Sequence, residues 1–386
     1  MFSRRAGTSG RRTAFPLGAW RAILISALIL PAICRADWQS TSLPTYDRAF
    51  QNTNGWIGAD GNFAVKLTNG LALWLFSDTL VGRAQHGQRS IKRMIHNSAA
   101  LQRGTELKFG RLAFYYKQAT DGQPDSLISP ADGKGWFWLF DGIMSRGHLF
   151  LFLMQIEPGK GDSVFSFRQT GNWLGEVDNP LNEPTDWRVK QRKIPFARFG
   201  TNGSICFGSS ILVRDGFIYI FGTRSTSGNG KTMILGRVPD GELANFEKWQ
   251  FKTMTGWSGD INECADLCGK MASEYSISWL NKLHKLVLVQ TESGLSDQIQ
   301  IRTATEPWGT WSEPTTVYRC PEGNWGRKVF CYSAKAHPWL AASDDELIVT
   351  YAANSFDFRQ LSSDARLYWP RFVRLKYSAD VPATTQ

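Results

Sequence analysis

What most constrains this chain is a pattern that returns along most of its length: two short runs of aromatic and β-branched residues on either side of a turn rich in Gly, Asn or Asp. Such runs read as strands, and Gly, Asn or Asp between two of them marks a hairpin. Phe63 to Leu67 and Leu71 to Phe76 bracket Asn69-Gly70. Trp136 to Phe140 is followed by Asp141-Gly142 and then by His148 to Gln155. Ser209 to Val213 and Phe217 to Gly222 bracket Asp215-Gly216, with Met233 to Val238 behind them. Tyr275 to Leu280, Lys285 to Thr291 and Gln298 to Ala304 make a fourth unit, and Ser333 to His337, Glu346 to Ala352 and Arg371 to Tyr377 a fifth. No segment carries a long 3.6-residue apolar period with caps at both ends. The units recur every roughly 60 to 70 residues, room for a four-stranded sheet and its loops, and a propeller protects sheet edges by this kind of radial repetition. The pattern predicts an all-β, five-bladed β-propeller over residues 37–380 as a single domain, with irregular loops at 82–96 and 156–186. A β-sandwich or jelly roll would explain the strands but not their spacing. Ser227 to Thr232 resembles a phosphate loop only briefly, and between strands it reads as a hairpin turn.

Several catalytic signatures are absent: no His-Glu-x-x-His, no Gly-x-Ser-x-Gly elbow, and no dinucleotide Gly-x-Gly-x-x-Gly after a strand. What the chain offers instead is acids beside aromatics. Asp60 follows Trp56-Ile-Gly-Ala, and Asp78 follows Trp74-Leu-Phe-Ser, one just outside each strand of the first hairpin. With Asn69 at the centre of the turn the two acids are equidistant from it and face each other at the open end. Opposed side chains lie about 4.5–5.5 Å apart at Cβ, where like charges destabilise. Glycoside hydrolysis, by contrast, needs two carboxyl groups flanking one bond, and about 5–5.5 Å suits a retaining mechanism. The plainer alternative is that both are turn formers, bonding their own backbone. Asp141, Glu274, Lys335 and His337 occupy matching positions in other units and could line one funnel with the faces of Trp56, Trp138 or Trp279, where a sugar would bind.

The run Gly-Ala-Asp60-Gly, followed by Leu73-Trp74-Leu-Phe-Ser-Asp78-Thr, resembles the start of a bacterial family long catalogued as a domain of unknown function, which includes endo-D-arabinanases acting on mycobacterial arabinans. Asn97-Ser98, Tyr219-Ile-Phe-Gly222, Trp308-Gly-Thr-Trp311-Ser-Glu-Pro314 and Ala336-His337-Pro338 before Tyr351 extend the likeness over about residues 50 to 377. The resemblance implies a five-bladed propeller glycosidase with Asp60 and Asp78 as the catalytic pair; Asp60 is taken as nucleophile and Asp78 as acid/base, an order the sequence leaves open. Ser77 departs from the pattern, standing where such sequences have Gly. The substrate-binding candidates are Trp56, Asn97, Asp141, Glu274, Lys335 and His337. No cofactor and no metal are expected; the partner is a polysaccharide or oligosaccharide, arabinan or another furanoside or glycan, and the chain is expected to be a monomer. A glycan-binding propeller without catalysis, a lyase and a calcium-dependent hydrolase are the competing functions.

Residues 1–36 hold six of the 44 basic residues and no acid, with an apolar run from Ala22 to Ile33. About 12 residues are too few to span a bilayer, and Cys34-Arg35-Ala36 offers a small-residue cleavage site, so this is read as a signal peptide rather than an anchor. Its removal leaves 38 basic against 34 acidic residues and no stable membrane span. A nearly balanced mature chain lacks the electrostatic footprint of nucleic-acid binding. Export, to the periplasm or outside the cell, favours a disulfide between Cys320 and Cys331 across a Gly-, Asn- and Trp-containing loop. Cys264 and Cys268 could also pair, leaving Cys206 free, and zinc binding by Cys-x-x-x-Cys is a weak alternative. Residues 381–386 read as a disordered tail. Intact mass of the exported protein is expected to begin at Asp37; a mature form retaining Arg35 and the apolar run would make the leader an anchor.

Overall fold

The computed structural model describes residues 37–68, 70–104, 107, 111–161, 166–226 and 230–378. The leader, Asn69, part of the 227–232 turn and the 381–386 tail therefore lie outside the described residues, wholly or in part. The fold is all-β, of the propeller type. Five sheets of four or more strands follow one another along the chain. The first runs Phe63–Thr68, Leu71–Phe76, Ser98–Arg103, Arg111–Tyr115; the second Trp136–Ser145, His148–Pro158, Phe167–Val177, Val189–Lys193. The third is built on Gly203–Arg214, Phe217–Thr226 and Lys231–Pro239, and the fourth on Tyr275–Leu280, Lys285–Thr291, Gln298–Ala304 and Thr315–Arg319. In the fifth, Val329–Ala336, Glu346–Ser355 and Pro370–Ser378 are completed by the N-terminal strand Asp37–Ser42, which pairs with the last strand of the chain.

The inner strands show why these residues form this structure. Leu149, Leu151 and Leu153 of one strand and Phe150, Phe152 and Met154 between them are all buried, because both faces of the sheet are covered by its neighbours. Turns follow the left-handed backbone that Gly and a few polar residues supply. Asp215 and Gly216 have φ of 51° and 77° and join Arg214 to Phe217 in a two-residue hairpin.

Three local expectations change. Asp141-Gly142 is not a turn: the strand continues to Ser145 with a bulge between Leu139 and Gly142, and the chain reverses at Arg146-Gly147. Asp141 is left in the bulge, bonding the backbone rather than leaving the sheet. Residues 82–96 are largely a hairpin, Thr79–Gln85 with Gln88–Ile95, which joins Asn54–Ala59 in a separate three-stranded sheet. Within 156–186, residues 156–158 and 167–177 belong to the long strands of the second sheet, and the expected loops lie between and after them. Cys320 and Cys331 are both buried and unbridged here, with burial and then a hydrogen bond to Cys331 pushing the Cys320 thiol up. Cys264 and Cys268 turn to different neighbours, Ala265 O and Met271 Sδ.

Arg89 binds the 361–367 segment to the first strands mainly through backbone carbonyls. Its buried guanidinium donates to the carbonyls of Ile57 (2.8 Å), Leu361 (3.1 Å), Asp364 (3.4 Å), Ala365 (3.2 Å) and Leu367 (2.6 Å), and lies over the Trp369 ring. Burial lowers its pKa to about 10, so it stays charged at neutral pH. Arg89→Met is expected to strand buried carbonyls and destabilise the fold by roughly 3 kcal/mol or more in urea unfolding; a loss below about 1 kcal/mol would mean that water replaces the guanidinium.

Candidate active site

The first hairpin sets the site. Phe63 pairs with Leu75 and Ala64 with Trp74, a register that carries the two chains outward to Asp60 and Asp78. There the Asp60 N–H donates to Asp78 O at 3.2 Å, and the Ser77 N–H donates to Asp60 O at 3.0 Å. The two acids thus stand opposite each other, and both line a cavity of about 1350 Å³ together with Glu274, Trp138, Tyr332 and Tyr368.

Their surroundings differ. Asp60 Oδ2 accepts from the hydroxyls of Tyr332 (2.7 Å) and Tyr368 (3.0 Å), while its Oδ1 is buried with no partner among the described residues. Burial first and the Asp78 charge second raise Asp60 well above the usual carboxylate range; the Tyr332 hydrogen bond opposes them, Glu274 adds to them, and Tyr368 opposes them. Burial raises both phenols as well, so they remain donors. Asp78 is held differently: its Oδ1 accepts from Trp138 Nε1 at 3.0 Å and contacts His96 Nδ1 at 2.9 Å. Glu274 faces the buried ammonium of Lys335 at 3.8 Å. Lys335 Nζ donates to Ser333 Oγ at 2.5 Å and sits 4.0 Å from the centre of the Phe63 ring. Burial lowers its pKa, with Glu274, Asp60 and Asp141 acting in the opposite direction.

Other expected binding residues lie elsewhere. Trp56 is 1% exposed in the core, its Nε1 donating to Ser98 Oγ. Asn97 is fully buried: its amide donates to the Ile128 and Phe137 carbonyls and accepts from the Ile128 N–H, fastening the strand that carries Trp138. Asp141 and His337 line a smaller cavity of about 280 Å³, which Lys335 also lines. Asp141 accepts from the Gly142 and Ile211 N–H groups, and burial raises it to about 7. His337 bonds Thr350 Oγ1 at 2.7 Å and packs on Trp74, with burial pushing it down to about 3. Trp279 lies under Arg214 rather than in the large cavity. Trp56 and Asn97 are thus buried away from the large cavity, and Asp141 and His337 line the smaller one. Sequence reading missed Tyr332, Tyr368 and His96; of these only His96 had a local signal, standing beside Asn97-Ser98.

Fold and site together define a propeller-type protein with a carboxyl-lined cavity. The chain belongs to the family described as a domain of unknown function, DUF5005, which it matches over residues 44–377. Its structure is similar to that of a Bacteroides ovatus protein proposed to be a hydrolase, at 17% identity and a TM-score of 0.70, over 88% of this chain and 90% of that one. It is also similar to a family 117 glycoside hydrolase of the marine bacterium Zobellia galactanivorans, at 12% identity and a TM-score of 0.50, over 91% and 92% of the two chains. At these identities the likeness speaks for the fold. No curated protein matches the sequence.

The raised Asp60 has a consequence for stability. An unfolded Asp loses its proton near pH 3.9, whereas folded Asp60 keeps its own to a higher pH, so this group's contribution to stability falls as pH rises between the two values. Asp141 acts in the same direction up to about 7. Asp60→Asn removes one of the two losses. Its melting temperature relative to wild type is expected to be higher at about pH 7.5 than at about pH 4.5; an equal difference at both would mean that Asp60 ionises normally.

Proposed function

We propose that this protein is a glycoside hydrolase, a five-bladed propeller in which each of the five sheets is one blade and Asp60 and Asp78 are the reacting carboxyl groups. One observation carries the reading: two acids stand opposite each other in one cavity, and burial with an unpartnered oxygen favours the protonated form of one of them, Asp60. Asp60, buried and partly unpartnered, suits the neutral form, since an unbonded carbonyl oxygen costs less than an unbonded anion. Asp78 is held instead from one side, its Oδ1 accepting from Trp138 Nε1 and lying against His96 Nδ1. A carboxyl kept protonated beside a second carboxyl can serve as the acid of such a pair.

Asp78 then attacks the anomeric carbon while the Asp60 proton passes to the departing glycosidic oxygen. Water, deprotonated by Asp60, next displaces the sugar from Asp78, with net retention. The sequence leaves this order of roles open, and the surroundings of Asp60 are what favour it here. The cavity has room for several sugar units, and furanosides such as arabinan are the first candidates. The names of the two similar structures, a proposed hydrolase and a family 117 glycoside hydrolase, support the same class. The reading includes export as a monomer, with Cys320 and Cys331, free thiols in this structure, pairing once in an oxidising compartment.

A panel of arabinans and other polysaccharides, read by released reducing ends, tests it. Asp60→Asn and Asp78→Asn are each expected to slow release by about 10²- to 10⁴-fold while the fold persists, and NMR should find the first-formed anomer retained. An active double variant would exclude the mechanism. A wild type that binds glycan and never releases reducing ends would make this a glycan-binding protein.

A further inference from the structure

Asp78 is gripped from one side. Trp138 Nε1 can only donate, and it uses Asp78 Oδ1 at 3.0 Å. His96 Nδ1 lies 2.9 Å from the same oxygen. A carboxylate oxygen accepts twice without difficulty, but a bare Nδ1 facing it would set two acceptors against each other, so the contact requires hydrogen on Nδ1. Few rotations remain open to the imidazole: it lies against the Trp136 ring with centroids 4.1 Å apart and planes 15° from parallel, and the His96 backbone N–H donates to Ser126 Oγ at 3.0 Å. Trp136 and Trp138 are two residues apart in the strand Trp136–Ser145, so their side chains leave the same face of the sheet. One strand face thus stacks on His96 and bonds to Asp78. Every hydrogen bond of the Asp78 carboxyl among the described residues goes to Oδ1, and the residue lines the large cavity.

We propose that His96, braced by Trp136 and acting with Trp138, is the positioning residue for Asp78: it keeps its proton on Nδ1 for Asp78 Oδ1 and so leaves Oδ2 free for the reacting sugar. The proposal rests on the reading of Asp78 as a reacting carboxylate. A carboxylate free to rotate would present either oxygen, and a small misplacement of a reacting group is costly. His96 acts through Asp78 and takes no part in bond making.

Histidine ¹⁵N NMR of the full mature protein tests the contact without any substrate. The chain has five histidines, and the His96 signals are those lost in His96→Asn. Above the range where imidazole is protonated, wild-type His96 is expected as the Nδ1–H tautomer; the Nε2–H tautomer would overturn the proposal whatever the activity. In kinetics on a cleaved glycan, His96→Ala should lower kcat by about 10²-fold with KM little changed. His96→Asn, whose amide N–H can occupy the place of Nδ1–H, should recover most of that loss. A folded His96→Ala with wild-type kcat would overturn the proposal while leaving the hydrolase reading intact. If the wild type cleaves nothing, the hydrolase reading is what fails, and the tautomer alone decides the contact.

Discussion

Sheets that share no continuous backbone ladder have to be locked to one another by other means, and here the lock is a ring of side-chain hydrogen bonds to backbone. Ser77 Oγ donates to Leu139 O at 3.3 Å, from first sheet to second. Asp141 accepts from the Ile211 N–H at 2.8 Å, Ser210 Oγ from Ile277 N–H at 2.8 Å, and Ser276 Oγ from Ala336 N–H at 2.7 Å. Ser333 Oγ closes the circle by donating to Gly61 O at 2.9 Å. Each link satisfies a buried backbone group that would otherwise cost on the order of 1–3 kcal/mol. The ring also fixes the sheets relative to one another, and that in turn decides which side chains meet at the cavity.

The last link does most for the site. Strand Val329–Ala336 is bulged between Tyr332 and Lys335, with Ser333 at φ 62°. The irregularity lets nearby residues reach three targets: Tyr332 bonds Asp60, Ser333 bonds Gly61 O, and Lys335 turns to Ser333 and Glu274. A regular strand would send alternate side chains to opposite faces and could not supply all three. The conformational cost of a left-handed Ser is therefore spent on joining the fifth sheet to the acids of the first.

Much of this was legible in sequence because it depends on short-range rules. The hairpin pattern located the sheets, and the spacing of Asp60 and Asp78 about their turn placed them opposite each other, as the Phe63–Leu75 register bears out. Tyr332 and Tyr368 were not legible, because they reach Asp60 from 272 and 308 positions along the chain through a bulge and a positive-φ residue. The expected binding residues Trp56, Asn97, Asp141 and His337 do not line the large cavity, for another reason. Sequence marks a polar or aromatic residue near a strand end but not which way the side chain points, and a buried polar group bonded to backbone looks the same in sequence as one facing a ligand. Trp138 was singled out for its ring face, whereas the indole N–H proves to be the part that touches Asp78.

Closure of the fold and assembly of the site are physically one process. The N-terminal strand Asp37–Ser42 completes the sheet of the C-terminal strand Pro370–Ser378. Just before that last strand, the chain crosses Asn54–Ala59, where the Ala59 N–H donates to Tyr368 O at 3.0 Å. Gly58, at φ 140°, makes the crossing possible: a Cβ there would come within 2.5 Å of that carbonyl oxygen. Tyr368, itself at φ 63°, turns its hydroxyl to Asp60, and Arg89 secures the preceding carbonyls. Until the segment before the last strand has docked on Asn54–Ala59, Asp60 lacks one of its two phenol donors. The carboxyl environment on which the proposed chemistry depends therefore exists only in the closed propeller.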